Sequence, residues 1–213
     1  MIKMVIWDCD GTLVDASRMI DCLYQGYQKL YPNRPKRSRD EFIPCYYFTD
    51  KETRRYLEIP PEDNEPFFVA CFGEDEGVMR DVKAFPYIIE VIQELAERGI
   101  RQGVNTSRDR TRFRESVKQL GEEAFQCIND IVITQEDVQH PKPNPESLFL
   151  ILEKSGFKAE ELLYIGDSYH DAKCAKDAGV PFAYAKWGEV LKQEIPCRYV
   201  LNNPRELLQI VKQ

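Results

Sequence analysis

The chain has 213 residues, of which 43% are hydrophobic and 31% are charged, and its formal net charge is −7. This length suffices for one domain with an insertion or for two small domains, and it can bury a core without disulfides or a structural metal. The acidic balance argues against a nucleic-acid backbone or an anionic membrane as the main partner.

Short apolar runs recur along the chain and predict the strands of a sheet. The first, residues 1–7, is apolar apart from Lys3 and ends at Asp8, Cys9, Asp10 and Gly11, which predicts a buried strand followed by a tight turn. The later runs lie at residues 102–105, 130–134, 162–165, 180–185 and 199–201.

Three stretches between these runs have the apolar spacing of amphipathic helices, and each ends at a glycine. They are residues 88–99, 148–156 and 172–179. A glycine directly after the last apolar position is a typical helix C-terminus. Strands that alternate with helices in this way indicate a mostly parallel sheet flanked by helices, so we predict an α/β fold.

Residues 16–81 differ from the rest of the chain. This segment is rich in Tyr, Phe, Arg and Glu, several prolines punctuate it, and it shows no strand alternation. Met19, Cys22, Leu23 and Tyr27 fall at helical spacing within it. We therefore predict a small all-helical domain at residues 16–81, inserted into a core domain formed by residues 1–15 and 82–213.

The cysteines and the N-terminus bear on the compartment. Seven scattered cysteines without a C-x-x-C pair argue against a disulfide framework or a zinc ribbon, and they predict small buried side chains in a reducing compartment. The N-terminal apolar run is interrupted by Lys3 and by Asp8, so it predicts neither a signal peptide nor a membrane span. We expect a soluble, cytoplasmic protein.

Asp8 and Asp10 follow the first predicted strand, at the end of the strand where α/β folds bind ligands. Two neighbouring carboxylates repel each other, and a divalent cation such as Mg²⁺ would compensate their charge if they are buried. A simple Asp-Gly turn explains the same residues equally well. A calcium-binding loop does not, because the twelfth position counted from Asp8 is Met19 and not a glutamate.

Two further strand ends carry polar groups. Thr106 and Ser107 follow one strand and can bind an anion with their hydroxyls and backbone N–H groups, although a helix N-cap explains them as well. Asp167 follows another, and Asp171 shares its face if a helix begins there, which fits either a metal site or an acidic first helical turn.

Lys142 lies among three prolines at residues 141–145 that restrict the backbone on both sides of it. An ammonium fixed in this way could offset the charge of carboxylates and of a phosphate. The alternative is an exposed loop lysine, which is the usual environment of lysine.

The order of these residues resembles the four motifs of the haloacid dehalogenase superfamily. The matching segments are Asp8-x-Asp10-Gly11-Thr12-Leu13, Thr106 after an apolar run, Lys142-Pro143, and Gly166-Asp167-Ser168-x-x-Asp171. The resemblance covers nearly the whole chain and extends to Trp187-Gly188. The helical insertion resembles the cap of the phosphoglycolate phosphatase-like branch, whose Rossmann-like core carries a helical cap over the active site.

The resemblance implies a role for each matching residue. Asp8 would be the nucleophile that forms an aspartyl-phosphate, Asp10 the general acid and base, and Lys142 the cation that steadies the charge. Thr106 and Ser107 would bind the phosphate. Magnesium would be held by Asp8, Asp167 and the backbone carbonyl of Asp10, with Asp171 supporting the metal site.

The activity implied is a magnesium-dependent phosphatase that acts on a small phosphorylated metabolite, with neither nucleic acid nor membrane as a partner. A phosphosugar mutase of the same fold and a non-catalytic binding module are alternatives. A haloacid dehalogenase is disfavoured by Asp10. The sequence specifies neither the substrate nor an oligomeric state.

Three residues depart from the family pattern. Cys9 stands where the family usually has a bulky apolar residue, and we expect it to alter packing and not chemistry. Arg108 flanks Thr106-Ser107 in an unusual way, and a surface arginine is the preferred interpretation over a contact with a second anionic group of the substrate. Tyr87 stands where many relatives have glycine.

Overall fold

A six-stranded parallel sheet forms the centre of the larger of two compact units. The structure is a computed structural model, and it describes residues 1–73 and 82–211. The strands are β1 (Met4–Trp7), β4 (Arg101–Asn105), β5 (Ile131–Ile133), β6 (Leu162–Gly166), β7 (Phe182–Ala185) and β8 (Tyr199–Leu201). Their order across the sheet is β5-β4-β1-β6-β7-β8, so the predicted α/β fold is confirmed.

The helices that follow these strands carry the apolar faces that the sheet requires. Within the described part of this unit they are α4 (Ile88–Glu97), α5 (Arg110–Val117), α6 (Gly121–Ile128), α7 (Glu146–Ser155), α8 (Tyr169–Ala178) and α9 (Leu207–Ile210). Met4, Ile6 and Tyr164 of the sheet join Leu148 and Ile151 of α7 in one buried cluster. The three helix ends predicted at glycines are confirmed, with Gly99, Gly156 and Gly179 all at positive φ.

The register of the central strands sets where their polar ends lie. Trp7 on β1 pairs with Val104 on one side and with Ile165 on the other. The residues that follow these three positions therefore lie at the same edge of the sheet. Parallel strands place all their carboxyl ends at one edge, which is where open α/β sheets bind ligands.

The smaller unit comprises residues 16–82 together with residues 190–192. Its described helices are α1 (Met19–Leu30), α2 (Asp50–Tyr56) and α3 (Asn64–Phe72), with a 3₁₀ helix at Arg39–Tyr46. Tyr27 and Phe42, both buried, stack edge to face with their ring centroids 5.5 Å apart. Residues 74–81, the last part of the predicted insertion, lie outside the described residues, as do residues 212 and 213.

Two short strands were not predicted from the sequence. β2 (Val14–Asp15) pairs antiparallel with β3 (Lys83–Ala84), so the chain leaves and rejoins the larger unit side by side. Nearby, Tyr87 adopts a left-handed backbone conformation at φ 68°, which glycine adopts more readily than any other residue. The guanidinium of Arg205 lies 3.9 Å from the centre of the Tyr87 ring.

Two glycines pack in and against the loop after β1, and a side chain at either position would collide with neighbouring atoms. Gly11 has φ +75°, and a Cβ placed on it would lie 2.0 Å from Oδ2 of Asp167. A Cβ on Gly188 would lie 1.7 Å from the backbone oxygen of Gly11. Trp187 donates a hydrogen bond from Nε1 to the Thr12 carbonyl at 3.0 Å. Residues 187–188 therefore pack directly on the loop that follows Asp8.

We predict that Gly188→Ala destabilises the protein by about 1–3 kcal/mol, the usual cost of overpacking a filled site. Gly156→Ala is the matched control. A Cβ on Gly156 meets no atom within 4 Å among the described residues, so any loss in that variant reflects its left-handed backbone alone and should be the smaller of the two. Chemical denaturation measures both values, and equal losses would contradict the packing explanation.

The remaining global features agree with the composition. All seven cysteines are free thiols, and five of them are buried, whereas Cys127 and Cys197 are partly exposed. Among residues 1–73 and 82–211, no helix combines the length and the apolar character that a membrane crossing requires.

Candidate active site

Polar residues from three adjacent strand ends and one loop converge at the carboxyl edge of the sheet. Asp8 follows β1, Thr106 follows β4 and Asp167 follows β6. Lys142 reaches the same place from the loop between β5 and α7. All four residues are buried, with relative exposures of 3–7%. The structure thus brings together residues that are up to 159 positions apart (167 − 8).

The ammonium of Lys142 lies at the centre of this group. Its Nζ is 2.6 Å from Oδ1 of Asp8 and 2.7 Å from Oδ1 of Asp171. It also donates towards the hydroxyl of Tyr164 at 3.1 Å and the carbonyl of Asn105 at 3.2 Å. Burial by itself would lower the pKa of Lys142, but the Asp171 and Asp8 carboxylates more than offset this and raise it. Lys142 is therefore a buried charged lysine and not an exposed loop residue.

Asp171 anchors Lys142 from the first turn of α8. Its Oδ1 also accepts from the hydroxyl of Tyr164 at 2.5 Å, and its Oδ2 accepts from the backbone and hydroxyl of Ser168, the N-cap of α8. Burial would raise the pKa of Asp171, but Lys142 and these hydrogen bonds lower it overall. Both carboxylate oxygens of Asp171 are thus hydrogen-bonded. Tyr164 and Ser168 fix the orientation of this carboxylate, which in turn positions the Lys142 ammonium.

Three carboxylates form a compact acidic group. Asp8, Asp167 and Asp171 each offer a ligand atom, and these atoms lie within 4.8 Å of one another. Oδ2 of Asp167 is buried and has no hydrogen-bond partner in the described part of the chain. Burial, followed by the charges of Asp8 and Asp171, raises the pKa of Asp167 well above its ordinary value. Burial likewise raises the pKa of Asp8 to about 7, although Lys142 opposes the shift.

This acidic group fits a hard divalent cation. Oxygen ligands of carboxylates are what Mg²⁺ and Ca²⁺ prefer, and Mg²⁺ commonly uses only one or two of them. The unpartnered oxygen of Asp167 is the observation that favours a bound cation, because a buried carboxylate oxygen otherwise has an unmet demand for a donor. Asp10 could contribute its backbone carbonyl, since its side chain is engaged elsewhere.

The side chain of Asp10 is held by Arg108. Nε of Arg108 donates to Oδ2 of Asp10 at 2.6 Å, and Nη2 donates to Oδ1 at 2.7 Å. The Arg108 side chain is only 10% exposed. The preferred interpretation of Arg108 as a surface arginine is therefore wrong. The sequence could not reveal this pair because it joins positions that are 98 residues apart.

The two predicted phosphate-binding residues have different environments. Thr106 is buried, and its hydroxyl accepts a hydrogen bond from the backbone N–H of Arg108 at 3.1 Å. Ser107 is exposed. The helix that follows, α5, is capped by Asp109, whose side chain accepts from the N–H of Arg112. The N-cap of this helix is therefore Asp109 and not Thr106 or Ser107.

Two residues around Lys142 were missed by the sequence interpretation. Tyr164 lies inside an apolar strand, and its hydroxyl contacts both Lys142 and Asp171. A phenol in an otherwise apolar buried run is the signal that could have revealed it, because a buried hydroxyl needs a polar partner. Ser168 was noted as part of a motif, but its contact with Asp171 was not predicted.

Cys9 is fully buried, and burial raises the pKa of its thiol, so the thiol stays neutral.

Comparisons with known proteins agree with this geometry. A family model described as haloacid dehalogenase-like hydrolase matches residues 5–185. The pyrophosphatase PpaX of Halalkalibacterium halodurans is 30% identical over 216 aligned residues, which cover 99% of this chain and 97% of the relative.

Solved structures share the fold over nearly the full length. A haloacid dehalogenase superfamily hydrolase of subfamily IA from Geobacter sulfurreducens is 26% identical, with a TM-score of 0.74 and coverage of 98% of this chain and 96% of that chain. A protein from Lactobacillus plantarum, described as a candidate phosphoglycolate phosphatase, is 20% identical, with a TM-score of 0.84 and coverage of 99% and 100%. The chain therefore belongs to the haloacid dehalogenase-like hydrolase family and is a phosphatase of that family.

Proposed function

We propose that the chain is a magnesium-dependent phosphatase that hydrolyses a small phosphomonoester through an aspartyl-phosphate on Asp8. The observation that carries the proposal is the pairing of Asp8 with the buried ammonium of Lys142, next to the unpartnered carboxylate oxygen of Asp167. This arrangement supplies a nucleophile, a fixed positive charge and a place for a cation in one buried group. Phosphoryl transfer depends mainly on such positioning and charge stabilisation.

Asp8 and Asp10 divide the reaction into two steps. A carboxylate oxygen of Asp8 attacks phosphorus, the bond from phosphorus to the leaving oxygen breaks, and Asp10 gives that oxygen a proton. Asp10 then takes a proton from water, the water oxygen attacks phosphorus, and phosphate leaves with Asp8 restored. Covalent catalysis of this kind replaces one difficult step with two easier ones.

The other residues support these steps. Lys142 offsets negative charge on Asp8 and on the phosphoryl oxygens, and Asp171 and Tyr164 hold the ammonium in place. The Thr106 and Ser107 hydroxyls bind phosphoryl oxygens. Asp8, Asp167 and the backbone carbonyl of Asp10 would hold Mg²⁺, and Asp171 would support the metal site beside them. The cation, when bound, supplies positive charge against the phosphoryl oxygens.

The domain roles and the substrate class belong to the same proposal. Residues 1–15 and 82–213 form the catalytic core, and residues 16–81 form the cap that selects the substrate. A small phosphorylated metabolite fits the buried ammonium of Lys142 in the site, and a cytoplasmic location fits seven free cysteines. The names of the relatives, a pyrophosphatase and a candidate phosphoglycolate phosphatase, suggest two substrates to include in a screen.

A screen of phosphorylated metabolites with and without Mg²⁺ tests the proposal. We expect phosphate release that depends on Mg²⁺ and is removed by a chelator. A coupled assay for hexose-phosphate isomerisation, run in parallel, separates a phosphatase from a mutase. Isomerisation without phosphate release would contradict the proposal, and so would inactivity of a folded sample against the whole panel.

We predict that Asp167→Asn weakens Mg²⁺ binding by about tenfold or more, because changes even to groups that only support a metal ligand cost about that much. Titration calorimetry measures the affinity directly. Thermal unfolding gives a second readout, since a ligand that binds only the folded state raises its stability. Asp177→Asn, an exposed acid of α8 that pairs with Lys173, is the control and should bind Mg²⁺ like the wild type. Equal affinity in all three proteins would contradict the assignment.

A further inference from the structure

The pair between Arg108 and Asp10 is a feature that the proposed mechanism does not use. Arg108 approaches Asp10 with two parallel N–H donors, so both carboxylate oxygens accept a hydrogen bond from it. Planar bidentate pairs of this kind are among the stronger charged contacts in proteins. The guanidinium also lies in a confined place, since its side chain is 10% exposed.

This pair conflicts with the work assigned to Asp10. To protonate a leaving oxygen and later deprotonate water, Asp10 must point one carboxylate oxygen at the substrate. In the structure, each of its oxygens already accepts a hydrogen bond from Arg108. Each oxygen can accept a second hydrogen bond, so the pair does not block Asp10 outright, but it holds the carboxylate in one orientation. Asp10 can turn towards the substrate when the pair opens at one oxygen.

Opening the pair requires a replacement for the carboxylate. A guanidinium in a mostly buried site that loses its anion carries an uncompensated charge, which is strongly unfavourable. A second anionic group on the substrate is a suitable replacement, because arginine binds phosphate and carboxylate with the same two-pronged geometry. A substrate whose other groups are neutral offers no such exchange.

The backbone of Arg108 keeps this exchange close to the phosphate site. Its N–H donates to the hydroxyl of Thr106 at 3.1 Å, so the side chain of Arg108 extends from the same loop that is assigned to phosphate binding. Its head reaches the Asp10 side chain, two residues beyond the proposed nucleophile. Arg108 therefore contacts both the loop assigned to phosphate binding and the residue proposed as the general acid.

We propose that Arg108 is a specificity-determining residue that clamps Asp10 in the free enzyme and moves to a second anionic group of the substrate on binding. The preferred substrates are then phosphate esters or anhydrides with a further phosphate or carboxylate next to the transferred group. This inference rests on the proposed function. It adds a substrate class to that function. It also explains why binding of the substrate would free Asp10, the general acid, from Arg108.

Kinetics with three substrates test the exchange. They are inorganic pyrophosphate and phosphoglycolate, which carry a second anionic group, and p-nitrophenyl phosphate, which does not. In Arg108→Met we expect kcat/KM for the first two to fall by about 10- to 100-fold, the range for loss of charged hydrogen bonds. For p-nitrophenyl phosphate we expect a clearly smaller loss of kcat/KM, because this substrate offers Arg108 no second anionic group. An equal loss on all three substrates, or no loss, would overturn the inference.

Two further variants separate this role from a structural one. Arg108→Lys keeps a positive charge without the two-pronged geometry, and it should recover only part of the preference for substrates with two anionic groups. Arg110→Met is the control. Arg110 lies two residues further along the chain, its side chain is 42% exposed, and it pairs with Asp137. This variant should leave all three kcat/KM values as in the wild type, and a loss in Arg110→Met equal to that in Arg108→Met would count against a specific role.

A binding measurement keeps the inference separate from the proposed activity. Methylenediphosphonate, a diphosphate analogue that cannot be hydrolysed, is titrated into the Mg²⁺-loaded protein beside inorganic phosphate. We expect the wild type to bind the diphosphonate more tightly and Arg108→Met to lose this difference. If the wild type hydrolyses phosphoesters but Arg108→Met keeps the difference, the inference fails and the proposed function stands. If the difference depends on Arg108 but no phosphoester is hydrolysed, the proposed function fails and the anion site stands.

Discussion

Asp8→Asn is expected to remove phosphatase activity while the protein stays folded. An amide oxygen cannot serve as the nucleophile, so no aspartyl-phosphate forms, and we expect kcat to fall by about a thousandfold or more, as for nucleophile removal in other enzymes. The measurement is phosphate release at saturating Mg²⁺ on the best substrate of the screen. Near wild-type turnover in Asp8→Asn would rule out covalent catalysis by this residue.

The free energy of unfolding of Asp8→Asn shows whether the variant is folded, and its pH dependence tests the pKa of Asp8. Burial raises the pKa of Asp8 from 3.8 to about 7, so the folded protein binds this proton more tightly than the unfolded chain does. Stability from this group is therefore present at low pH and is lost as the pH rises towards and through about 7. Without Mg²⁺, we expect wild-type stability to fall more steeply between pH 5 and pH 8 than that of Asp8→Asn. Identical slopes in thermal unfolding would contradict the shifted pKa.

Lys142→Met is expected to damage both stability and activity. Methionine keeps much of the length of the side chain but leaves Asp8 and Asp171 buried without their shared cation. Removing one partner of a buried ion pair typically costs about 3–5 kcal/mol, and removing a group that stabilises developing charge costs about 10²- to 10³-fold in kcat. Chemical denaturation and phosphate-release kinetics measure the two effects.

Lys118→Met is the matched control for that substitution. Lys118 is 64% exposed and pairs with Glu115 one turn away on the helix, so its loss should cost at most about 0.5 kcal/mol and leave kcat unchanged. The charge explanation also predicts that Lys142→Met loses less stability at pH 5 than at pH 8, because protonated carboxyl groups need no cation. A pH-independent loss would indicate a packing effect instead.

Several features of the molecule follow from local sequence patterns. The strands of the sheet and the helices α4, α7 and α8 were predicted because short apolar runs, helical spacing and terminal glycines are local signals. The candidate site residues at the strand ends were predicted for the same reason, since the last residue of each run identifies the edge of the sheet. The roles of Asp8, Thr106, Lys142 and Asp167 remain proposals, although the structure brings these residues together.

Other features escaped the sequence because their signals are weak or not local. Helix α5 buries only Phe113, Ser116 and Val117, so its apolar pattern is too sparse to stand out among charged residues. The strands β2 and β3 have two residues each, which is too short for alternation to show.

The sequence by itself determined the fold class, the strand ends and the set of charged residues that gather there. Only the tertiary structure decided which charges pair: Lys142 between Asp8 and Asp171, Tyr164 beside them, and Arg108 on Asp10. Hydropathy patterns report whether a side chain is buried, but pairing depends on strand register and loop paths across dozens of residues. For that reason Arg108, which looks like a surface arginine in the sequence, is the residue whose role the structure changes most.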